Sequence, residues 1–144
     1  VPRLLGTGLT REIEFLAARA RAIGTATANQ HLAPLDLRVR AYSVLALACS
    51  GENPSQRELA AFLSLDASQI VALVDDLEQR GLVARIVGAQ DRRSKSITAT
   101  DEGQRLFTKA RSAVQKAEDE SLAGLDAHEK ETLRVLLTRI AFPA

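Results

Sequence analysis

The chain has 144 residues, of which 46% are apolar but only 3% aromatic, with no Trp; that is enough for one domain whose core is packed by Ala, Leu and Val. A formal charge of +1 excludes strong bulk attraction to nucleic acid, so any such attraction must come from where the charges sit. The single Cys49 excludes an intrachain disulfide and fits a cytoplasmic setting, and no apolar run reaches the roughly 18 residues of a membrane span.

In chain order, the first eight residues read as a flexible, glycine-containing arm; Gly6-Thr7-Gly8 lacks the preceding strand and third glycine of a phosphate loop. From Thr10 to about Gln30 a helix is expected, with Ile13, Leu16, Ala20, Ile23 and Thr27 along one face. Pro34 ends it by biasing its predecessor away from helical geometry. Asp36 is placed to cap a second helix that turns Ala41, Val44, Leu45 and Ala48 inward. Ser50-Gly51-Glu52-Asn53-Pro54 breaks the chain.

The next stretch carries the densest set of signals. Ser55-Gln56-Arg57-Glu58 has the spacing of a capping box, followed by Leu59, Ala60, Phe62 and Leu63 as the buried face of a short helix. Asp66 caps another helix, with Leu65 and Ile70 at hydrophobic-staple spacing. Ile70, Leu73, Val74 and Leu77 form its inward stripe, and Gly81 closes it. Residues 82–87 and 96–100 read as two strands, joined by the charged tip Gly88-Ala89-Gln90-Asp91-Arg92-Arg93-Ser94-Lys95. Helix, turn, helix and basic hairpin make a winged helix-turn-helix.

Thr100 then caps a long helix, with Asp101 and Glu102 in its positive first turn. Its stripe runs Leu106, Phe107, Ala110, Val114, Ala117 and Ser121. Asp126 with Glu129 marks a last helix carrying Leu133, Leu136, Leu137 and Ile140. Apolar stripes on both the first and last helices exceed what a small winged module can cover. Pairing of Ile13, Leu16, Leu133, Leu136, Leu137 and Ile140 across a two-fold axis, as a homodimer, is the economical solution.

Several of these segments resemble the MarR-type transcriptional regulators. The resemblance rests on Ser55-Gln56-Arg57-Glu58-Leu59-Ala60, Leu73-Val74-Asp75 with Leu77-Glu78, Arg80-Gly81-Leu82-Val83, Asp91-Arg92-Arg93-Ser94-Lys95 and Thr100-Asp101-Glu102-Gly103. It implies a mainly α fold with a small β-hairpin wing. One domain would span residues 1–144, with dimerisation helices in 1–35 and 101–144 around a winged module at 36–100. It also implies a cytoplasmic, homodimeric regulator, a repressor on double-stranded DNA, that answers a small aromatic or phenolic effector and needs no cofactor or metal.

For DNA reading, the first turns of the second helix of such a module enter the major groove. There Gln69 can pair bidentately with adenine, Ser68 can serve a base or phosphate, and Val71 or Ala72 can touch a thymine methyl. Ser55, Gln56 and Arg57 open the preceding helix, where Gln56 and Arg57 suit phosphates. In the wing, Asp91 projects to the same side as Arg93 and can orient it. The resemblance implies that an arginine there enters the minor groove, with Arg92 and Lys95 facing phosphates.

Two features depart from the family's habit, Ala72 and Asp76, which stand where basic or polar residues are usual. From Ser55 to Lys95, six cations (Arg57, Arg80, Arg85, Arg92, Arg93, Lys95) face six carboxylates (Glu58, Asp66, Asp75, Asp76, Glu78, Asp91), a net of zero. A dimeric protein-interaction module with weakened DNA binding is the alternative this suggests. Catalysis has no motif: His31 and His128 are far apart, and no metal or nucleophile signature is present. Cys49 has no basic sequence neighbour and reads as a structural thiol. For an effector, His31, Arg40 and Tyr42 are the candidate lining residues.

Overall fold

The computed structural model describes residues 2–87 and 95–144. The readings placed on Asp91, Arg92 and Arg93 lie outside the described residues.

The opening segment is not a featureless arm. It forms two 3-10 turns, Pro2–Gly6 and Gly8–Arg11, because the Thr7 and Thr10 hydroxyls donate to the carbonyls of Leu4 and Leu5 at 2.8 and 3.0 Å. Helix α1 spans Ile13–Leu32 and buries only Leu32. Helix α2, Val39–Ala48, buries Val44, Leu45 and Ala48, as the stripe requires.

The cap of α2 differs from expectation. Asp36 takes a left-handed conformation (φ 54°) that ends the turn Ala33–Leu35, which leaves Arg38 at the cap position with no short acceptor. The acceptor comes instead from α1: the Val39 N–H donates to Asn29 Oδ1 at 2.9 Å. One helix therefore fixes the start of the next.

Helices α3 (Gln56–Leu63) and α4 (Ala67–Gln79) are joined through Ser64, left-handed at φ 53°. The capping box of α3 is formed, with Ser55 N–H donating to Glu58 Oε2 at 2.8 Å and Glu58 N–H to Ser55 Oγ at 3.2 Å. Leu59, Ile70, Val74 and Leu77 are fully buried. Phe62 is not on the buried face of α3; it is 58% exposed and stacks on Phe142, ring centroids 5.6 Å apart. An eight-residue helix has room to bury little more than Leu59.

Strands β1 (Val83–Val87) and β2 (Lys95–Ala99) pair antiparallel, Val83 opposite Ala99 and Val87 opposite Lys95. A further bridge joins Ser55 to Ser96, and Ile97 N–H donates to the Pro54 carbonyl at 2.8 Å. The sheet thus holds the start of α3. Ile97, fully buried, plugs the sheet into the core formed with Leu32, Val44, Leu45 and the α4 stripe.

Helix α5, Asp101–Ser121, starts hard against the α4–β1 junction. The Thr100 hydroxyl donates to the Gly81 carbonyl at 2.6 Å and accepts from Gly103 N–H at 3.1 Å. A β-carbon on Gly103 would sit 2.0 Å from the Leu82 carbonyl oxygen, so only glycine lets the two backbones approach. Gly81 itself has φ +73°, the left-handed closing geometry of a helix end.

Helix α6, Ala127–Ala141, opens with a capping box of Asp126 and Glu129 and buries nothing. It meets α5 near their junction through Lys130–Asp119 (3.4 Å) and Arg134–Glu118 (3.1 Å). At its far end Phe142 reaches α3. Val135, Leu136, Leu137 and Ile140 are 47–70% exposed. No helix among the described residues is long and apolar enough to cross a membrane.

Candidate nucleic-acid interface

The buried stripe of α4 fixes which residues face away. Ser68, Val71, Ala72, Asp75 and Asp76 are exposed and Gln69 half-buried. Beside them the start of α3 presents half-buried Ser55 and Gln56 and exposed Arg57, while Lys95 is exposed at the head of β2. Most of the candidate reading residues among those described therefore lie on helices α3 and α4, whose starts are set by caps rather than by core packing alone.

Gln69 has a second task. Its Oε1 accepts the Asp66 N–H at 3.0 Å, satisfying an orphan donor at the α4 start. Gln56 is committed as well, since its Oε1 accepts from Arg85 Nε at 2.9 Å.

Arg85 is the centre of a network that the sequence reading did not single out. Its Nη2 donates to Asp75 at 2.5 Å and its Nη1 to Glu78 at 2.8 Å, with the side chain 17% exposed. The Arg85 backbone N–H adds a bond to Glu78 Oε2 at 3.2 Å. One guanidinium therefore joins β1 to α3 and α4 and counters two of the carboxylates on α4, a use of the planar fork that a lysine cannot reproduce. A sequence signal existed: Arg85 shares strand parity with Val83, which is 2% exposed, so it points to the core side.

Arg80, at the C-terminal end of α4, donates to the carbonyls of Asp36 (2.8 Å) and Leu35 (3.2 Å). Asp76 lies 3.9 Å from the same guanidinium. Arg80 thus ties the end of α4 to the α1–α2 connection.

That connection borders an open cleft of about 1430 Å³ between α1, α2 and α4. Arg21, Arg38 and Arg40 line it together with Asn29, Leu73 and Asp76. The three proposed effector residues do not gather here. Arg40 lines the cleft, but Tyr42 stacks on Phe107 at 5.9 Å and His31 Nε2 pairs with Glu120 Oε2 at 2.6 Å. Burial raises the Tyr42 pKa, with Arg111 pulling weakly the other way. Arg21 and Arg38 were missed because they lie on separate elements, and sequence spacing gives no hint that they face one cleft.

Cys49 is half-buried at the end of α2, its Sγ 3.9 Å from the Gly103 carbonyl. Desolvation raises its pKa, which lowers its thiolate fraction and hence its reactivity.

Known proteins match this architecture along its length. Residues 35–94 match the sequence profile of the MarR family. A MarR family transcriptional regulator from Rhodococcus sp. RHA1 is 43% identical, with a TM-score of 0.91 over 96% of this chain and 99% of that one. CouR from Rhodococcus jostii RHA1, crystallised bound to p-coumaroyl-CoA, is 44% identical, with a TM-score of 0.86 over 96% of this chain and 98% of that one. A MarR family protein of Mycobacterium tuberculosis in complex with salicylic acid is 26% identical, with a TM-score of 0.75 over 90% and 96% of the two chains. The resemblance seen in the capping box, the α4–β1 junction and the Thr-Asp-Glu-Gly start of α5 thus extends to the whole fold, and the chain belongs to the MarR family of transcriptional regulators.

Proposed function

We propose that this regulator is a homodimeric repressor that binds a pseudo-palindromic operator and is released by an anionic aromatic effector. The observation that carries the DNA reading is the internal pairing of the reader's carboxylates. The zero net charge of the module suggested a surface that repels phosphate, but Asp75 and Glu78 are held by Arg85, and Asp76 lies beside Arg80. Arg57 and Lys95 stand exposed around that face. Wing residues Arg92 and Arg93 complete the basic set in this reading.

The dimer reading rests on apolar surface at both chain ends. Leu4, Leu5, Leu9, Ile13, Leu16 and Ile23 are 46–79% exposed, as are Leu136, Leu137 and Ile140 at 47–70%. A stable soluble chain seldom leaves so much aliphatic surface in water. Two copies would set their α4 helices in major grooves about one turn, roughly 34–36 Å, apart.

For the effector, the cleft offers Arg21, Arg38 and Arg40 as cations among the carboxylates of Glu14, Asp36 and Asp76, and two relatives were crystallised with an aromatic acyl-CoA and an aromatic acid. An anion bound in that cleft would lie beside α4, whose Leu73 and Asp76 form part of its wall. Effector binding is therefore positioned to disturb the reading helix directly.

The test is a salt titration of binding to DNA from the protein's own upstream region and to a random duplex, with and without p-coumaroyl-CoA, CoA and salicylate. Specific binding should weaken steeply with salt through counterion release, and an aromatic ligand should reverse it where CoA alone does not. Replacing Arg38 and Arg40 together by Ala should blunt the ligand response about tenfold or more, as expected for charge-assisted contacts. Weak, salt-insensitive binding to both duplexes would favour the interaction-module alternative.

A further inference from the structure

Helix α4 and the turn that ends α1 close in the same way. At the end of α4 the Gly81 N–H donates to the Glu78 carbonyl and the Leu82 N–H to the Leu77 carbonyl, both at 2.9 Å, with Gly81 left-handed. After α1 the Asp36 N–H donates to the Ala33 carbonyl at 2.9 Å and the Leu37 N–H to the Leu32 carbonyl at 3.3 Å, with Asp36 left-handed. Both are Schellman closures, and their apolar residues Leu32, Leu37, Leu77 and Leu82 are all at most 7% exposed. Such an ending leaves the last carbonyls without backbone donors. Arg80 supplies donors at the end of α1: its Nη1 and Nη2 reach the Asp36 and Leu35 carbonyls at 2.8 and 3.2 Å. The guanidinium also puts a cation at the negative end of that helix.

Helix α5 grips α4 one residue further on, where the Thr100 hydroxyl donates to the Gly81 carbonyl at 2.6 Å. The helices that lead to the two proposed dimer surfaces therefore hold the end of α4 at neighbouring residues. A grip at Gly81 alone would leave a pivot, since apolar packing is non-directional. The second grip, at Arg80, fixes the angle. Helix α4 has 13 residues and so is roughly 20 Å long at 1.5 Å per residue. A swing of about 10° at the gripped end would carry its first turn roughly 3.4 Å, one base-pair step.

We propose that Arg80 is a positioning residue that sets the distance between the two half-sites this regulator accepts. Its guanidinium is spent on the carbonyls at the end of α1, with Asp76 3.9 Å away, and not on DNA. The planar fork holds two carbonyls at once, which the point charge of a lysine cannot do. A dimer carries two such ties, one on each side of its axis, so an error in the angle counts twice.

This inference rests on the dimeric, DNA-binding reading, and its test separates the two. The distance between readers is measured first, without DNA. Nitroxide labels are placed on Ala61→Cys, exposed on α3, in a Cys49→Ser background, and pulsed electron spin resonance gives the distances between copies. With Arg80 intact one narrow distance is expected. Arg80→Gln, which loses the charge and the fork, should broaden it, and Arg80→Lys should fall between. Labels that report no second copy overturn the dimer reading, and this inference falls with it.

Selection from a random duplex pool then defines the operator. Affinities are compared for that operator, for versions with one base pair added or removed between half-sites, and for a single half-site. Wild type should lose about tenfold or more off its spacing, the scale of one mismatched base pair. Arg80→Gln should lose less than about threefold off spacing, while binding a single half-site within about twofold of wild type. A merely structural arginine would weaken every duplex alike and leave the spacing ratio untouched, and that result overturns the proposal. So does a label distance as narrow in Arg80→Gln as in wild type. If Arg80→Gln does not fold, Arg80→Lys carries both comparisons, with an intermediate spacing penalty expected and a wild-type one overturning the proposal. A pool that enriches no paired half-sites overturns the operator reading itself.

Discussion

Gly103 shows how strictly one residue can be dictated. Its missing side chain lets α5 begin against the Leu82 carbonyl, where a β-carbon would sit at 2.0 Å. The neighbour is backbone, held in turn by the Thr100 N–H at 3.0 Å, so it cannot swing aside as a flexible side chain would. Gly103→Ala should therefore destabilise the fold by about 3 kcal/mol, the upper end for an added methyl in a tight site. Helix propensity favours alanine by roughly 1 kcal/mol, so the packing penalty must win for this outcome. Urea unfolding followed by circular dichroism measures it, and a midpoint equal to or above wild type would show that the junction yields. Residues of this kind are readable in sequence only as members of a motif. Thr100-Asp101-Glu102-Gly103 marks a helix start by its cap and its acids, whereas the demand for glycine comes from Leu82 at the α4–β1 junction.

At the scale of elements, what proved legible was local. The boxes at Ser55 and Asp126 are closed within four residues, and the structure forms both. The α4 stripe and the Gly81 ending were likewise carried by neighbours in sequence. The failures all involve a partner from elsewhere. Asp36 looked like a cap, but Asn29 on the preceding helix supplies the acceptor at 2.9 Å. Phe62 looked like core, yet its eight-residue helix has little face to bury, and it meets Phe142 from the other end of the chain. Arg85 was counted as one charge among twelve, though it fastens three elements. Asn29→Ala should uncap α2 and cost about 0.5–2 kcal/mol, because Val39 N–H then lacks its acceptor. A second signature separates this from general loosening: amide exchange should quicken first in the opening turn of α2, while α4 keeps its protection. Uniform quickening throughout would mean that α2 and the core open together.

For the whole molecule, the terminal helices set the behaviour. Ile140 is 70% exposed in the single chain, so Ile140→Glu in a monomer should shift stability by no more than about 0.5 kcal/mol. In the proposed dimer the same change buries a carboxylate without a partner and should dissociate the pair, visible by sedimentation. Wild type should also lose apparent stability on dilution. A hundredfold drop in concentration should lower the thermal midpoint by roughly 5–10 °C, since association contributes only while a second copy is at hand. A midpoint independent of concentration would argue for a chain that stands alone.

The bare flank of α6 also bears on how long a copy survives in a cell. A helix that buries no residue of its own and meets the rest of the chain chiefly at its ends opens at little free energy, and open segments are what proteases cut. Copies that find no mate would be cleared faster than paired ones. Turnover would then remove the form unable to span both half-sites and leave the pool enriched in the working form. A small excess of synthesis would raise the paired population more than in proportion, and a small deficit would empty it. The abundance of the regulator would thus respond to its own production as a threshold rather than a slope. That sharpness would originate in four aliphatic side chains, Val135, Leu136, Leu137 and Ile140, which the rest of the chain leaves 47–70% exposed.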